Sequence, residues 1–197
     1  MKIAAGVLAV VMCLAVAPIL AQDKAQDKAQ DKPTFPINFS AFAVNLNQGP
    51  SAGTVQIRLD RLSTAEERET LIAAFKEGGQ NALLRALQRV NPRVGFIRTP
   101  NSLGWDLRFA WRELNSDGTS RVVIATDRRV DFLEARNRPR VNDFPFTLVE
   151  MRLDKAGNGE GRMAVAARIS TARDGETIEI ENYAISPVAL NNITISR

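Results

Sequence analysis

The chain of 197 residues contains no histidine and a single cysteine, Cys13. Without imidazole there is no ordinary general base near neutral pH, no Ser-His-Asp or Cys-His arrangement and no example of the commonest metal ligand. Cys13 lies inside the apolar block that opens the chain, so a form cut after that block has no thiol. Thiolate catalysis, tetrahedral zinc sites, cysteine-ligated iron–sulfur clusters and disulfides are then excluded. No glycine-rich phosphate loop of the P-loop or dinucleotide type is present, nor a G-x-S-x-G nucleophile elbow. Accordingly, no metal and no cofactor is expected. Lysine is scarce as well: beyond residue 33 there are twenty arginines and only Lys76 and Lys155. Arginine's planar fork grips carboxylates and phosphates and stacks on aromatics, but a net charge of +4 creates no strong field.

The opening "MKIAAGVLAVVMCLAVAPILA" has one early cation, Lys2, an uncharged run from Ile3 to Leu20 and a small residue, Ala21, before a polar stretch. This is the pattern of a secretory signal peptide over residues 1–21. The expectation is an exported protein, periplasmic or secreted. An uncleaved N-terminal anchor is the rival, since the run is just long enough to span a bilayer. Residues 22–33, "QDKAQDKAQDKP", balance Asp against Lys and hold no apolar side chain larger than alanine. Such a segment cannot offset its ordering entropy by burial and reads as a flexible linker. Residues 34–197 are enough for one hydrophobic core and too few to suggest two.

Within that span, "NFSAFAVNL" (38–46) places Phe42, Val44 and Leu46 on one face, and "GTVQIRLDR" (53–61) does the same with Val55, Ile57 and Leu59. Period-two alternation of this kind predicts half-buried strands. Ser63 with Glu66, or Thr64 with Glu67, then offers a capping box. Leu71, Ile72 and Phe75 form an apolar face, Gly78-Gly79 interrupts it, and Leu83, Leu84, Leu87 and Val90 resume it before Asn91-Pro92. This predicts either two helices with a kink or a tight helix pair, each with a single buried stripe. From Arg93 the chain reads as strand after strand. In "WDLRFAWREL" (105–114), Trp105, Leu107, Phe109 and Trp111 alternate with polar residues and Ala110. Pairing Leu114 with Thr119 across "NSDG" sets Trp111 against Val122, Phe109 against Ile124 and Arg112 against Arg121. A second hairpin turns at "KAGNGEG", matching Val149, Met151 and Leu153 with Met163, Val165, Ala167 and Ile169. Pro187 argues against one unbroken final strand. The fold class is therefore α+β: a curved antiparallel sheet of about six to eight strands packed against a helix pair inserted after the second strand.

Three clusters carry candidate chemistry. Asp127, Asp131 and Glu134 could supply a carboxylate pair for glycosidic-bond cleavage, though neighbouring Arg128 and Arg129 explain them equally well as surface ion pairs. Arg128, Arg129, Arg136, Arg138 and Arg140 fall within thirteen residues and suit an anionic envelope component. Nucleic acid is not an expected partner, because aromatics for base stacking are not interleaved with them. Trp105, Phe109 and Trp111 could line a ligand pocket, although a period-two aromatic stripe is more often core. "DKAGNGEG" offers Asp154, Asn158 and Glu160 as oxygen donors, but its spacing is that of a glycine-rich turn rather than a calcium loop. The leading expectation is a non-enzymatic exported binding or interaction module, holding a small apolar ligand between sheet and helices. A carboxylate-dependent polysaccharide hydrolase and arginine-mediated adhesion to an anionic envelope surface are the alternatives.

Overall fold

A computed structural model describes residues 33–46, 51–100, 102–130, 145–171, 178–182 and 187–196. The expected leader, nearly all of the linker and the 131–144 stretch with Asp131, Glu134, Arg136, Arg138 and Arg140 lie outside the described residues. The elements are β1 (Ile37–Asn45), β2 (Ser51–Leu59), α1 (Ala65–Arg89), β3 (Gly95–Arg98), β4 (Trp105–Leu107), β5 (Phe109–Leu114), β6 (Ser120–Ala125), β7 (Phe146–Leu153), β8 (Gly159–Thr171), β9 (Ile178–Asn182) and β10 (Val188–Ser196).

All strands belong to one antiparallel sheet in the order β4-β3-β2-β1-β10-β8-β7-β6-β5, with β9 paired to β8. The two ends of that order meet in one piece of chain, because β4 ends at Leu107 and β5 begins at Phe109. The Arg108 N–H between them donates to Ala125 O at 2.9 Å, while Val94 N–H donates to Leu107 O at 3.0 Å. One kinked strand thus changes partner from β3 to β6 and rolls the sheet toward a barrel. Its interior is filled from every side: Ala41 and Ala43 from β1, Ile57 from β2, Ile97 from β3, Leu107 and Ala110 from the kinked strand, Ile124, Met151 and Met163 from β6 to β8, and Ile193 from β10. Small residues on β1 and at Gly161 face large ones opposite. A Cβ on Gly161 would approach Ile193 and Met151 at 3.2 and 3.3 Å.

The α+β class stands, with two corrections. The helix pair is a single span, Ala65–Arg89, broken at Gly78 and Gly79, whose backbone leaves helical geometry (Gly79 φ 59°, ψ −154°). Among the described residues the sheet has ten strand segments rather than six to eight. Of the two possible capping boxes, Thr64 with Glu67 forms. Ser63 is instead buried, and its Oγ accepts the Ala110 N–H at 3.1 Å.

Three face assignments are also corrected. In β1, Phe39, Ala41, Ala43 and Asn45 point inward, leaving Phe42 47% and Leu46 73% exposed. In the β5–β6 hairpin, Asn115 rather than Leu114 meets Thr119, so Leu114 pairs Ser120, Trp111 pairs Val123 and Glu113 pairs Arg121. The cause is the loop: Ser116, Asp117 and Gly118 form a three-residue turn with Gly118 left-handed at φ 81°. One residue of slip turns β5 over relative to β6, whose Val122 and Ile124 stay inward. The aromatic stripe is accordingly split at Arg108, with Leu107 and Ala110 inward and Phe109 outward. On β8, a register shift opposite Phe146–Leu148 reverses the alternation beyond Val165. Ala167 and Ile169 therefore join Leu71, Leu83, Leu84, Leu87 and Phe146 in a second cluster, where α1 covers the outside of the sheet.

Candidate functional site

Outside the barrel, side-chain character changes partway along four strands. Phe109 on β5, Phe146 and Leu148 on β7 and Ala164 on β8 lie under α1. Two to four residues further along the same outward face come Glu113, Glu150, Arg152, Glu160 and Arg162, with Arg121 of β6 between them. The boundary is set by sequence alternation, apolar where the helix lies and charged where it does not. Cross-strand register arranges the charged part in two rows: Glu113–Arg121–Arg152–Glu160, and Trp111–Val123–Glu150–Arg162.

This charged half is a groove of about 900 Å³, walled by the two hairpin tips (Asn115 and Thr119; Asp154 and Asn158) and by Asn192 of β10. Asn192 stands at a break in the β10 register with φ 51°. Arg121 lies directly opposite Arg152, a like-charge pair that costs stability unless something neutral or negative intervenes. Glu150 does so: its Oε1 accepts from Arg121 Nε at 2.8 Å and lies 3.6 Å from Arg152 Nε. Arg162, beside it in register, forms no hydrogen bond or ion pair among the described residues. The lining thus carries three guanidiniums and three carboxylates (Glu150, Asp154 and Glu160) on strands and tight turns. It can donate and accept hydrogen bonds at once, which suits a polar ligand with charges of both signs.

A second polar cluster surrounds Asp127, whose side chain is 4% exposed. Its Oδ2 lies 3.3 Å from Arg108 Nε and its Oδ1 accepts from Arg128 Nε at 3.1 Å. Asp106 continues the chain to Arg108 at 3.5 Å and to Arg93. Arg108 also donates to the Val90 carbonyl at the end of α1, at 3.1 Å. The bond from Arg128 to Asp127 raises the arginine's pKa, fixing it further as a cation. Both oxygens of Asp127 lie against guanidiniums: the Arg128 contact is a hydrogen bond, whereas Arg108 Nε is an ion-pair neighbour that makes no hydrogen bond. Next to it, Thr126 and Thr147 tie the departing chain down. The Val130 N–H donates to Thr147 Oγ1 at 2.9 Å, and Val130 inserts into the barrel core.

Of the residues singled out from sequence, Arg128 is exposed and bound to Asp127, and Arg129 is half-buried beside it. Trp105, Phe109 and Trp111 are not brought together. Trp105 packs on the interior core, Phe109 on the helix side, and Trp111 lies under the Arg68 guanidinium at 5.2 Å. Asp154 accepts the Asn158 N–H at 2.9 Å and closes a turn through Gly157, as the turn reading requires. No cluster of three or more metal-ligating side chains occurs among the described residues. Asp154, Asn158 and Glu160 of the groove were singled out from sequence, but only as a turn, and Arg121, Glu150, Arg152 and Arg162 were missed. Their signal was the switch from apolar to charged at the outward positions of "FTLVEMR" and "GEGRMA".

Comparison with protein-family models, curated proteins and solved structures finds no match.

Proposed function

We propose that this chain is an exported, non-enzymatic binding module whose ligand sits in the charged groove on the outside of β6, β7 and β8. The observation that carries the reading is the groove itself, about 900 Å³ lined by three guanidiniums and three carboxylates, in which Arg162 makes no hydrogen bond or ion pair among the described residues. Strand-borne side chains are held more rigidly than loop-borne ones, so their donors and acceptors are preorganised. The space between sheet and helix is a less suitable seat for a ligand, because Leu71, Leu84, Leu87, Phe146 and Ile169 occupy it. A polar ligand bearing charges of both signs fits the groove better than an oily one. Hydrolysis is not favoured, since Asp127 is committed to Arg108 and Arg128.

Native mass spectrometry of the protein purified from its own envelope tests this reading. A copurifying polar ligand, lost in an Arg152→Ser/Arg162→Ser double variant of unchanged melting temperature, supports it. A ligand retained by that variant, or a chain that never carries one, removes the groove from consideration.

A further inference from the structure

Among the described residues, rolling the sheet leaves one stretch of backbone without a neighbouring strand. β2 pairs β1 along its whole length, from Ile37 with Leu59 to Asn45 with Ser51 and without a register shift. On its other side β3 reaches only from Gln56 to Leu59. No described residue pairs with Ser51–Val55 on that side. The direction of the free groups follows from the ladder. Asp60 N–H donates toward β3, to Val94 O at 2.8 Å, so Arg58 and Gln56 point the same way, and so do Thr54 and Ala52. Two N–H and two C=O groups therefore face outward from a regular strand.

Natural sheets guard such an edge with charge, proline within it, or a bulge. "SAGTV" has none of these, and a Cβ built on Gly53 meets nothing within 4 Å. The segment is also self-complementary. Set antiparallel to itself about Gly53, it places Ala52 opposite Thr54 of a second copy and Thr54 opposite Ala52. Both positions in each pair carry outward-pointing backbone groups, giving about four hydrogen bonds. No like charges meet and no large side chain intrudes. Phe42, the β1 neighbour of Thr54 and 47% exposed, gives this edge an apolar flank.

We propose that Ser51–Val55 is a self-association edge, through which two copies of this chain join their sheets about a two-fold axis at Gly53. The interface is small and belongs to the weak, concentration-dependent class. This goes beyond the groove, which lies across the barrel on other strands, and either can fail without the other.

Sedimentation equilibrium of the purified chain over a dilution series, with hydrogen exchange read residue by residue, provides the test. The expected result is a weight-average mass rising toward two chains with concentration, while exchange at the Ala52 and Thr54 amides slows in step. Thr54→Pro removes one outward N–H, leaves the β1 ladder intact and should abolish the rise, whereas Thr54→Val should keep it. If Thr54→Pro does not fold, Thr54→Lys, which places a charge on the exposed side of the edge, should weaken association instead. A single-chain mass at every concentration overturns the proposal, even if the edge then takes up a foreign extended peptide. A dimer that survives in Thr54→Pro or is unaffected in Thr54→Lys, or one that forms with no slowing at Ala52 and Thr54, overturns it as well.

Discussion

Gln80 Oε1 accepts the backbone N–H of Ile169 at 3.0 Å, so a helix side chain completes a strand. β7 stops at Phe146, opposite Ala167, and β8 runs on beyond it. Past that point no described strand bonds the β7 side of β8, and an unpaired N–H there would carry a desolvation cost. The break at Gly78 and Gly79 is what puts Gln80 in reach. Gly79 adopts φ 59° and ψ −154°, a region essentially closed to residues with a Cβ. Gly79→Ala should therefore destabilise the fold by about 1–3 kcal/mol although alanine is the better helix former. Gln80→Ala should cost about 1 kcal/mol. Urea unfolding measures both, and a neutral or stabilised Gly79→Ala would mean the break has no structural role.

Asp127 and Arg108 answer a different question. Their contact joins the strand that closes the barrel to the chain leaving β6, and Asp127 is 4% exposed while Arg108 is 18% exposed. Removing one member of a buried pair leaves the other uncompensated. Asp127→Ala should destabilise by about 2–4 kcal/mol, somewhat below a fully buried pair because Arg108 reaches solvent. Arg128→Ala, on the exposed side of the same carboxylate, should change stability by under about 0.5 kcal/mol. Thermal and urea denaturation of the two variants checks this. Equal effects would show that Arg108 is not the partner that matters.

The Arg61–Glu67 pair makes stability depend on pH. Arg61 donates to both Glu67 oxygens at 2.7 and 2.8 Å and also to the Pro92 carbonyl at 2.7 Å, tying the start of α1 to the chain beyond its end. Hydrogen bonding from Arg61, chiefly, holds the Glu67 pKa below its ordinary value of 4.5. A carboxyl lowered in the folded state binds its proton more readily in the unfolded chain, so its contribution is complete above pH 4.5 and fades as pH falls through the folded value. Gln at this position keeps the capping acceptor and loses the charge. Glu67→Gln should therefore be less stable than the parent by about 0.5–1 kcal/mol at neutral pH, with the gap closing in acid. A gap independent of pH would assign the effect to packing.

Much of this architecture was legible because alternation and capping are local. The strands, the Thr64 cap, the break at Gly78-Gly79 and the turn at Asp154–Asn158 follow from neighbouring residues alone. What was not legible depended on one-residue differences set elsewhere in the fold. Whether the β5–β6 loop has three residues or four decides which face Phe109 and Trp111 occupy, and "NSDG" permits either. The reversal on β8 comes from an extra residue opposite Phe146–Leu148, which no local pattern marks. The groove could not be read at all until register brought Arg121, Glu150 and Arg162 side by side from three strands.

β1 gives the sharpest test of how the barrel is filled. Sequence favours Phe42, Val44 and Leu46 as its inward set because they are larger than Ala41 and Ala43. The fold takes the alanines, both within 4% of full burial, because Met151, Met163, Leu190 and Ile193 already occupy the interior. Volume at the centre of a small barrel is shared, so bulk on one wall requires small residues on another. Phe42→Ser should then change stability by less than about 1 kcal/mol, as expected for an exposed site. Ala43→Leu adds volume where none is free and should cost at least about 1–3 kcal/mol. Phe146→Ala, which empties the fully buried site under α1, should cost about 3–5 kcal/mol. Urea titrations of the three variants give the order directly. If Phe42→Ser proved the most damaging, β1 would have to be turned over, and the outward direction assigned to Thr54 beside it would fall too.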